Sequence, residues 1–185
     1  MQASATGEAR SEQAIREPAL REVTADGKLR LRFHEGQLRA WRSKARFVFM
    51  LSGTQSGKTA FGPHWLHREI AEEKSQELGA EGQGVGDFLA VTSTFDQFKL
   101  KMLPEMREVF EHILRIGRYW AGERVIELAE GLESGGRFRA ERQDDRMYGR
   151  IILRSAEATA GLEAATAKAA CLDEVGQPEF PLGAW

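Results

Sequence analysis

Apolar residues along the chain fall into short runs separated by polar stretches rich in glycine and charge. Phe47-Val48-Phe49-Met50-Leu51 are five consecutive apolar residues. An unbroken run of this kind predicts a parallel strand covered on both faces, where a half-exposed strand would alternate. Phe88 to Thr92 predicts a second buried strand, and Arg124 to Leu128 alternates as a strand should. Arg150 to Leu153 and Ala169 to Leu172 predict two more. Between them, Phe95, Phe98, Met102, Met106, Val109, Phe110 and Ile113 recur at spacings of three and four, the signature of a helix with one apolar face. Pro104 is expected to bend it. Leu31, Phe33, Leu38 and Trp41 mark a short amphipathic segment ending near Ser43. A further helix is expected from Gly57 to about Glu73, kinked at Pro63, which lacks an N–H and crowds an earlier carbonyl.

Strands alternating with helical segments predict an α/β protein with a mostly parallel sheet flanked by helices. Residues 1–28 carry few large apolar side chains and are expected to be a flexible polar tail, leaving 29–185 as the folded domain. Ser75 to Gly86 is expected to be a surface loop. Glu130 to Tyr148, glycine-containing and highly charged, is expected to be a hairpin or insertion. Glu157 to Ala167 is expected to be helical or loop-like.

At 185 residues the chain suits one domain, large enough to bury about 70% of its unfolded surface. A formal net charge of −2 argues against a uniformly basic nucleic-acid coat and leaves room for a local basic groove. The single cysteine, Cys171, excludes an intrachain disulfide and fits a reducing compartment. No apolar run approaches the ~20 residues of a membrane helix, and the polar start lacks a signal peptide, so a cytoplasmic protein without a membrane partner is expected.

The candidate chemistry lies in two segments. Ser52-Gly53-Thr54-Gln55-Ser56-Gly57-Lys58-Thr59 follows the first expected strand and opens a helix. Backbone N–H groups at such a turn can surround a phosphate, with Gly57 permitting close approach. Lys58 would place its charge near the terminal phosphates, and the Thr59 hydroxyl would ligate magnesium. The usual pattern has glycine where Ser52 stands; serine is small enough for the turn. The second segment, Ala169-Ala170-Cys171-Leu172-Asp173-Glu174, delivers two acids at a strand end. Asp173 would hold magnesium, and Glu174 would orient or deprotonate the attacking water. Taken alone, such a pair more often decorates a solvated strand end; beside a phosphate loop it becomes a hydrolytic pair.

Weaker candidates have blander explanations. His64 and His67 lie on one helix face without an accompanying Cys or carboxylate set, which favours a solvated face over a metal site. Cys171 suits a small core residue better than a redox thiol. Arg137, Arg139, Arg142, Arg146 and Arg150 are interleaved with acids, favouring a solvated hairpin over a DNA-backbone contact.

The order Gly36-Gln37, then the loop 52–59, then Thr92-Ser93-Thr94 with Gln97 resembles a known family. So do the strand Ile151 to Ser155, Gly161-Leu162 and Cys171-Leu172-Asp173-Glu174-Val175. The pattern, over roughly residues 31–180, is similar to the ATPase domain of the large terminase subunit of tailed bacteriophages, the motor that threads viral DNA into a capsid. The resemblance implies a P-loop NTPase fold of the ASCE, RecA-like type and magnesium-dependent ATP hydrolysis that drives DNA translocation. Loop residues Gly53, Thr54, Gln55, Ser56, Gly57, Lys58 and Thr59 would bind the nucleotide, Gln37 would read adenine, and Lys58 and Glu174 would serve the reaction. It also implies double-stranded DNA, a portal protein and a small terminase subunit as partners. A homo-oligomeric ring and a phage- or prophage-infected bacterial cell complete the expectation.

Two departures stand out. Many members carry an arginine within the loop, where this chain has Thr54 and Gln55. The family also continues past the position of Trp185 with a coupling strand and a nuclease domain, so a truncated ATPase domain, incomplete at its C-terminal end, is expected. A helicase-like ATPase shares the same layout, and a nucleotide-binding fragment without turnover is a third reading.

Overall fold

In the computed structural model, residues 20–53, 55–77, 86–129, 147–157, 166–177 and 180 are described. The expected loop 75–86 and hairpin 130–148 lie mostly outside them, as do Thr54, residues 1–19 of the tail and Arg137, Arg139, Arg142 and Arg146. The chain is mixed α/β. Strands β1 (Arg21–Val23) and β2 (Leu29–Leu31) form a small antiparallel hairpin. The boundary expected at residue 28 therefore falls inside a hairpin, which Arg21 ties to Glu105 across 2.7 Å. Helix α1 (Glu35–Arg42) follows, then the long α2 (Lys58–Glu77).

Five strands make the main sheet: β3 (Gly86–Thr92), β4 (Gly117–Trp120), β5 (Val125–Ala129), β6 (Met147–Ser155) and β7 (Ala167–Leu172). Their order is β4-β5-β6-β3-β7. β3 pairs in parallel with β6 and with β7, while β5 runs antiparallel to β6 and to β4. The sheet is thus half parallel and half antiparallel. The alternation of Arg124 to Leu128 already marked β5 as unlike the unbroken apolar runs.

One face of the sheet carries the main core. Phe88 and Ala90 of β3, Ile126 and Leu128 of β5, and Ile151 and Leu153 of β6 pack against Leu66 and Ile70 of α2. Phe98, Met102, Met106, Val109 and Phe110 join the same cluster. The opposite face of β3 holds a smaller cluster of Val91, Ala156 and Phe180.

The helix expected around Pro104 is present but is not a plain α-helix. It alternates α3 (Phe95–Gln97), a π-helical turn (Phe98–Met102), α4 (Leu103–Arg107) and a second π-helical turn (Glu108–Ile113). Pro104 offers no N–H to the carbonyl four residues back and its ring crowds that group. The wider turn answers this, with the Leu103 N–H bonding the Phe98 carbonyl five residues away. At Pro63, α2 continues as α-helix, and the proline is buried.

The expected strand Phe47–Leu51 is not formed. The segment is irregular, and Phe47, Phe49 and Leu51 are 70%, 71% and 94% exposed. Among the described residues β7 is the last strand on that side of the sheet, and nothing pairs with its outer edge.

His64 of α2 is buried, and its Nε2 meets no hydrogen-bond partner among the described residues. Burial, helped by the charges of Arg21 and His67, lowers its pKa from 6.5 to about 4. The solvated-face expectation for His64 is therefore corrected: it is a neutral core histidine. Between pH 4 and 6.5 its neutral form is favoured only in the folded chain, so the unfolded chain takes up the proton first as pH falls. Stability should be full above about 6.5 and should drop between there and 4. The loss is roughly 1–2 kcal/mol between pH 7 and pH 5. Urea unfolding at the two pH values checks this; a His64→Leu chain with the same loss would sink it.

Candidate nucleotide-binding site

The site begins at the N-terminus of α2. Gln55 and Gly57 both adopt left-handed backbone, with φ of 60° and 74°. Glycine takes this conformation freely, whereas Gln55 is held in it at a cost of order 1–3 kcal/mol, strain of the kind found at functional turns. The loop curls around the Lys58 ammonium. Lys58 Nζ donates to the carbonyls of Ser52 and Gly53, each at 3.0 Å, and to the hydroxyls of Ser52 and Ser56, each at 3.2 Å. The two hydroxyls also meet each other at 2.7 Å. Ser52, standing where the usual pattern has glycine, supplies two of these contacts.

Beneath the loop lies α1. His34 caps this helix: its Nδ1 accepts from the backbone N–H of Gly36 and Gln37, while Gln37 Oε1 accepts from the His34 N–H, a reciprocal capping box. With Nδ1 accepting, the proton sits on Nε2, which points at the Ser56 carbonyl 3.3 Å away. Gln37 Nε2 donates to the Gly57 carbonyl at 3.4 Å. A Cβ on Gly57 would stand 3.1 Å from that nitrogen, a tight contact, and the φ of 74° is one that glycine takes freely. Gln37 is only 2% exposed, and both ends of its amide are engaged within the protein. The position offered for adenine thus supports the loop. His34, which had drawn no attention in the sequence, is its partner; the His-Glu-Gly-Gln spacing of a capping box was the available signal.

The second segment meets the first. β7 ends at Leu172, and the Asp173 N–H donates to the Val91 carbonyl at 2.8 Å, prolonging the ladder with β3. Asp173 is buried, and its Oδ2 accepts a 2.7 Å hydrogen bond from the Thr59 hydroxyl. Its Oδ1 accepts from the Glu174 N–H at 3.0 Å. Glu174 turns away in left-handed backbone, φ 57°. Its carboxylate accepts from Gln177 Nε2 at 3.1 Å and pairs with Lys101 Nζ at 3.2 Å. These hydrogen bonds, with the charges of Lys101 and Lys58, hold its pKa below the usual carboxylate value.

Thr59 and Asp173, a hydroxyl and a carboxylate in contact, are oxygen donors of the kind magnesium takes when phosphates and water complete its shell. Among the described residues no cluster of three or more His, Cys, Asp or Glu could hold a metal by itself. His67, like His64, has its pKa lowered by burial, and it packs its ring against Phe110. The thiol of Cys171 is pushed up to about 12, first by burial and then by the Asp173 charge, as for an inert core residue. Arg150 pairs with Asp87 of the neighbouring strand across 2.6 Å. No described helix is long and apolar enough to cross a membrane.

No family model, curated protein or solved structure matches the chain.

The Gln37 contacts generate a prediction. Gln37→Ala should weaken magnesium-ATP and magnesium-GTP by similar factors, about 5- to 30-fold, because it releases the Gly57 carbonyl and the His34 N–H. Parallel calorimetric titrations check it. A loss confined to ATP would return Gln37 to reading the base.

Proposed function

We propose that the chain binds magnesium-ATP on the loop Ser52–Thr59 and hydrolyses it, in a P-loop NTPase fold of the terminase type. The observation that carries this is the Thr59–Asp173 hydrogen bond. It joins the last residue of the phosphate loop to the acid of a strand end, two segments with no local reason to meet. The site lies at the C-terminal ends of parallel strands, where α/β sheets place ligands.

Lys58 is held by neutral oxygens, which a triphosphate would replace with oxygens carrying full negative charge, adding ion–ion attraction to the hydrogen bonds. The start of a 20-residue helix adds its unpaired N–H groups and positive dipole end to the attraction. Thr59 and Asp173 would hold magnesium, which neutralises phosphate charge when bound. In hydrolysis, a water oxygen forms a bond to the terminal phosphorus and the bond to the bridging oxygen breaks. ADP leaves with that electron pair, and the water proton passes toward Glu174. A carboxylate kept ionised by its neighbours is ready to accept a hydrogen bond from that water. Its low proton affinity suits it to orienting the water more than to removing the proton early.

The motor role, with double-stranded DNA, portal and small subunit as partners and a ring as the working assembly, rests on the resemblance of Gly36-Gln37, the loop 52–59 and residues 171–175 to terminases. ATP as the nucleotide rests on the same ground.

Two variants separate binding from chemistry. Lys58→Ala should abolish calorimetric binding of magnesium-ATP; unchanged affinity would remove the loop assignment. Glu174→Gln keeps the shape and should leave binding within about threefold while phosphate release falls ~10²-fold or more, the scale of a lost general base. Turnover at the parental rate would assign the role to another acid.

A further inference from the structure

We propose that Lys101 is a positioning residue for hydrolysis, holding the Glu174 carboxylate in place from the first π-helical turn. The inference rests on the hydrolytic reading above. Three observations carry it.

Lys101 Nζ and Gln177 Nε2 each take one oxygen of the Glu174 carboxylate, at 3.2 and 3.1 Å. The carboxylate is thus held at both oxygens, which restricts the rotation a glutamate at a turn would otherwise have. The grip spans the fold: Lys101 comes from the helical run after β3, and Gln177 from the turn after β7, whose N–H bonds the Glu174 carbonyl at 3.0 Å.

The second observation is where Lys101 stands. It lies in the widened turn Phe98–Met102, just before Pro104. Each residue of a helix rotates the next by about 100°, so fitting an extra residue into one turn re-aims the side chains within it. Phe98 and Met102 stay fully buried in the core while Lys101, between them, reaches the site. π turns of this kind recur at functional sites.

The third is the backbone of Glu174. A glutamate in left-handed conformation carries strain. In that conformation its side chain meets Lys101 and Gln177, while the Asp173 carboxylate is engaged by Thr59. The acids are thereby separated: one faces the loop threonine, the other the lysine.

The pair is partly exposed, so its contribution is modest, and a modest effect on position is what the test must resolve. Steady-state hydrolysis of magnesium-ATP by the intact chain is measured for Lys101→Ala, Lys101→Arg, Glu174→Gln and the Lys101→Ala/Glu174→Gln double variant. Thermal unfolding confirms that each is folded. Lys101→Ala should lower kcat roughly fivefold with KM unchanged within about twofold, the scale of such a charge pair. Lys101→Arg should restore at least half of the loss. In the Glu174→Gln background, Lys101→Ala should have no further effect, because the residue through which it acts is gone.

Losses that multiply in the double variant overturn the proposal and place Lys101 on the phosphates or in the fold. An unchanged kcat in Lys101→Ala also overturns it, with the hydrolytic reading intact. A folded parental chain that binds ATP without turnover overturns the hydrolytic reading and this inference with it.

Discussion

Everything at the site depends on the parallel ladder between β3 and β7. Ala90 pairs with Cys171 and Val91 with Leu172, and the next N–H, that of Asp173, still bonds the Val91 carbonyl. This sets the height at which the chain leaves the sheet, and so where both acids stand. α2 can lie close over β7 because Gly62 faces Cys171. A Cβ there would come within 2.8 Å of the sulfur, closer than real contacts allow. With the strand pinned from one side and the helix seated from the other, the Thr59 hydroxyl reaches Asp173 without further adjustment. A bulkier residue at position 62 would lift the helix, and the loop would leave the acid.

Around that contact the charges are arranged by depth. Asp173 is buried and engaged by a hydroxyl and a backbone N–H, so a neutral network satisfies it in the free protein. Lys58 sits in a ring of carbonyls and hydroxyls that a more negative ligand can outcompete. Glu174 lies nearer the surface, with a lysine and an amide for partners. In the proposed reaction a deep oxygen pair, a cation in a cup and an acid at the rim would serve three different parts of a triphosphate and its attacking water. The loop itself is braced from below by His34 and Gln37, which spend side-chain hydrogen bonds on the carbonyls of Ser56 and Gly57 and so leave the loop N–H groups unclaimed by that brace.

The same sheet leaves one demand unmet. Phe47 to Leu51 leads directly into the loop, yet its aromatic side chains lie in solvent, with Phe47 meeting only the Arg46 guanidinium at 5.4 Å among the ring contacts described. The apolar run carries the composition of an interior strand yet pairs with none, while the outer edge of β7 has no partner among the described residues. Burying side chains of this size would contribute about 1.5–3 kcal/mol each. Among the described residues the segment holds most of the exposed large apolar side chains, and it abuts the loop on which nucleotide binding would depend.

Much of this was legible in the chain. β3, β5, β6 and β7 follow from short β-branched and apolar runs, and α2 from the loop-to-helix pattern. The joining of Thr59 to Asp173 followed from pairing two motifs, each of which encodes its own local geometry. Other features needed the fold. β4, Gly117–Trp120, has two polar or glycine positions in four residues and becomes a strand only because β5 offers a partner. Pro104 announces a disturbed helix, but whether the chain bends or widens depends on Phe98, Met102 and Met106 all having to stay in one core. Gln37 carries an amide suited to a base edge, and tertiary packing turned it toward Gly57. Phe47–Leu51 shows the limit from the other side. Local composition states what a segment would bury, while only the tertiary structure decides whether it is paired and buried, because both need backbone and side-chain partners from distant parts of the chain.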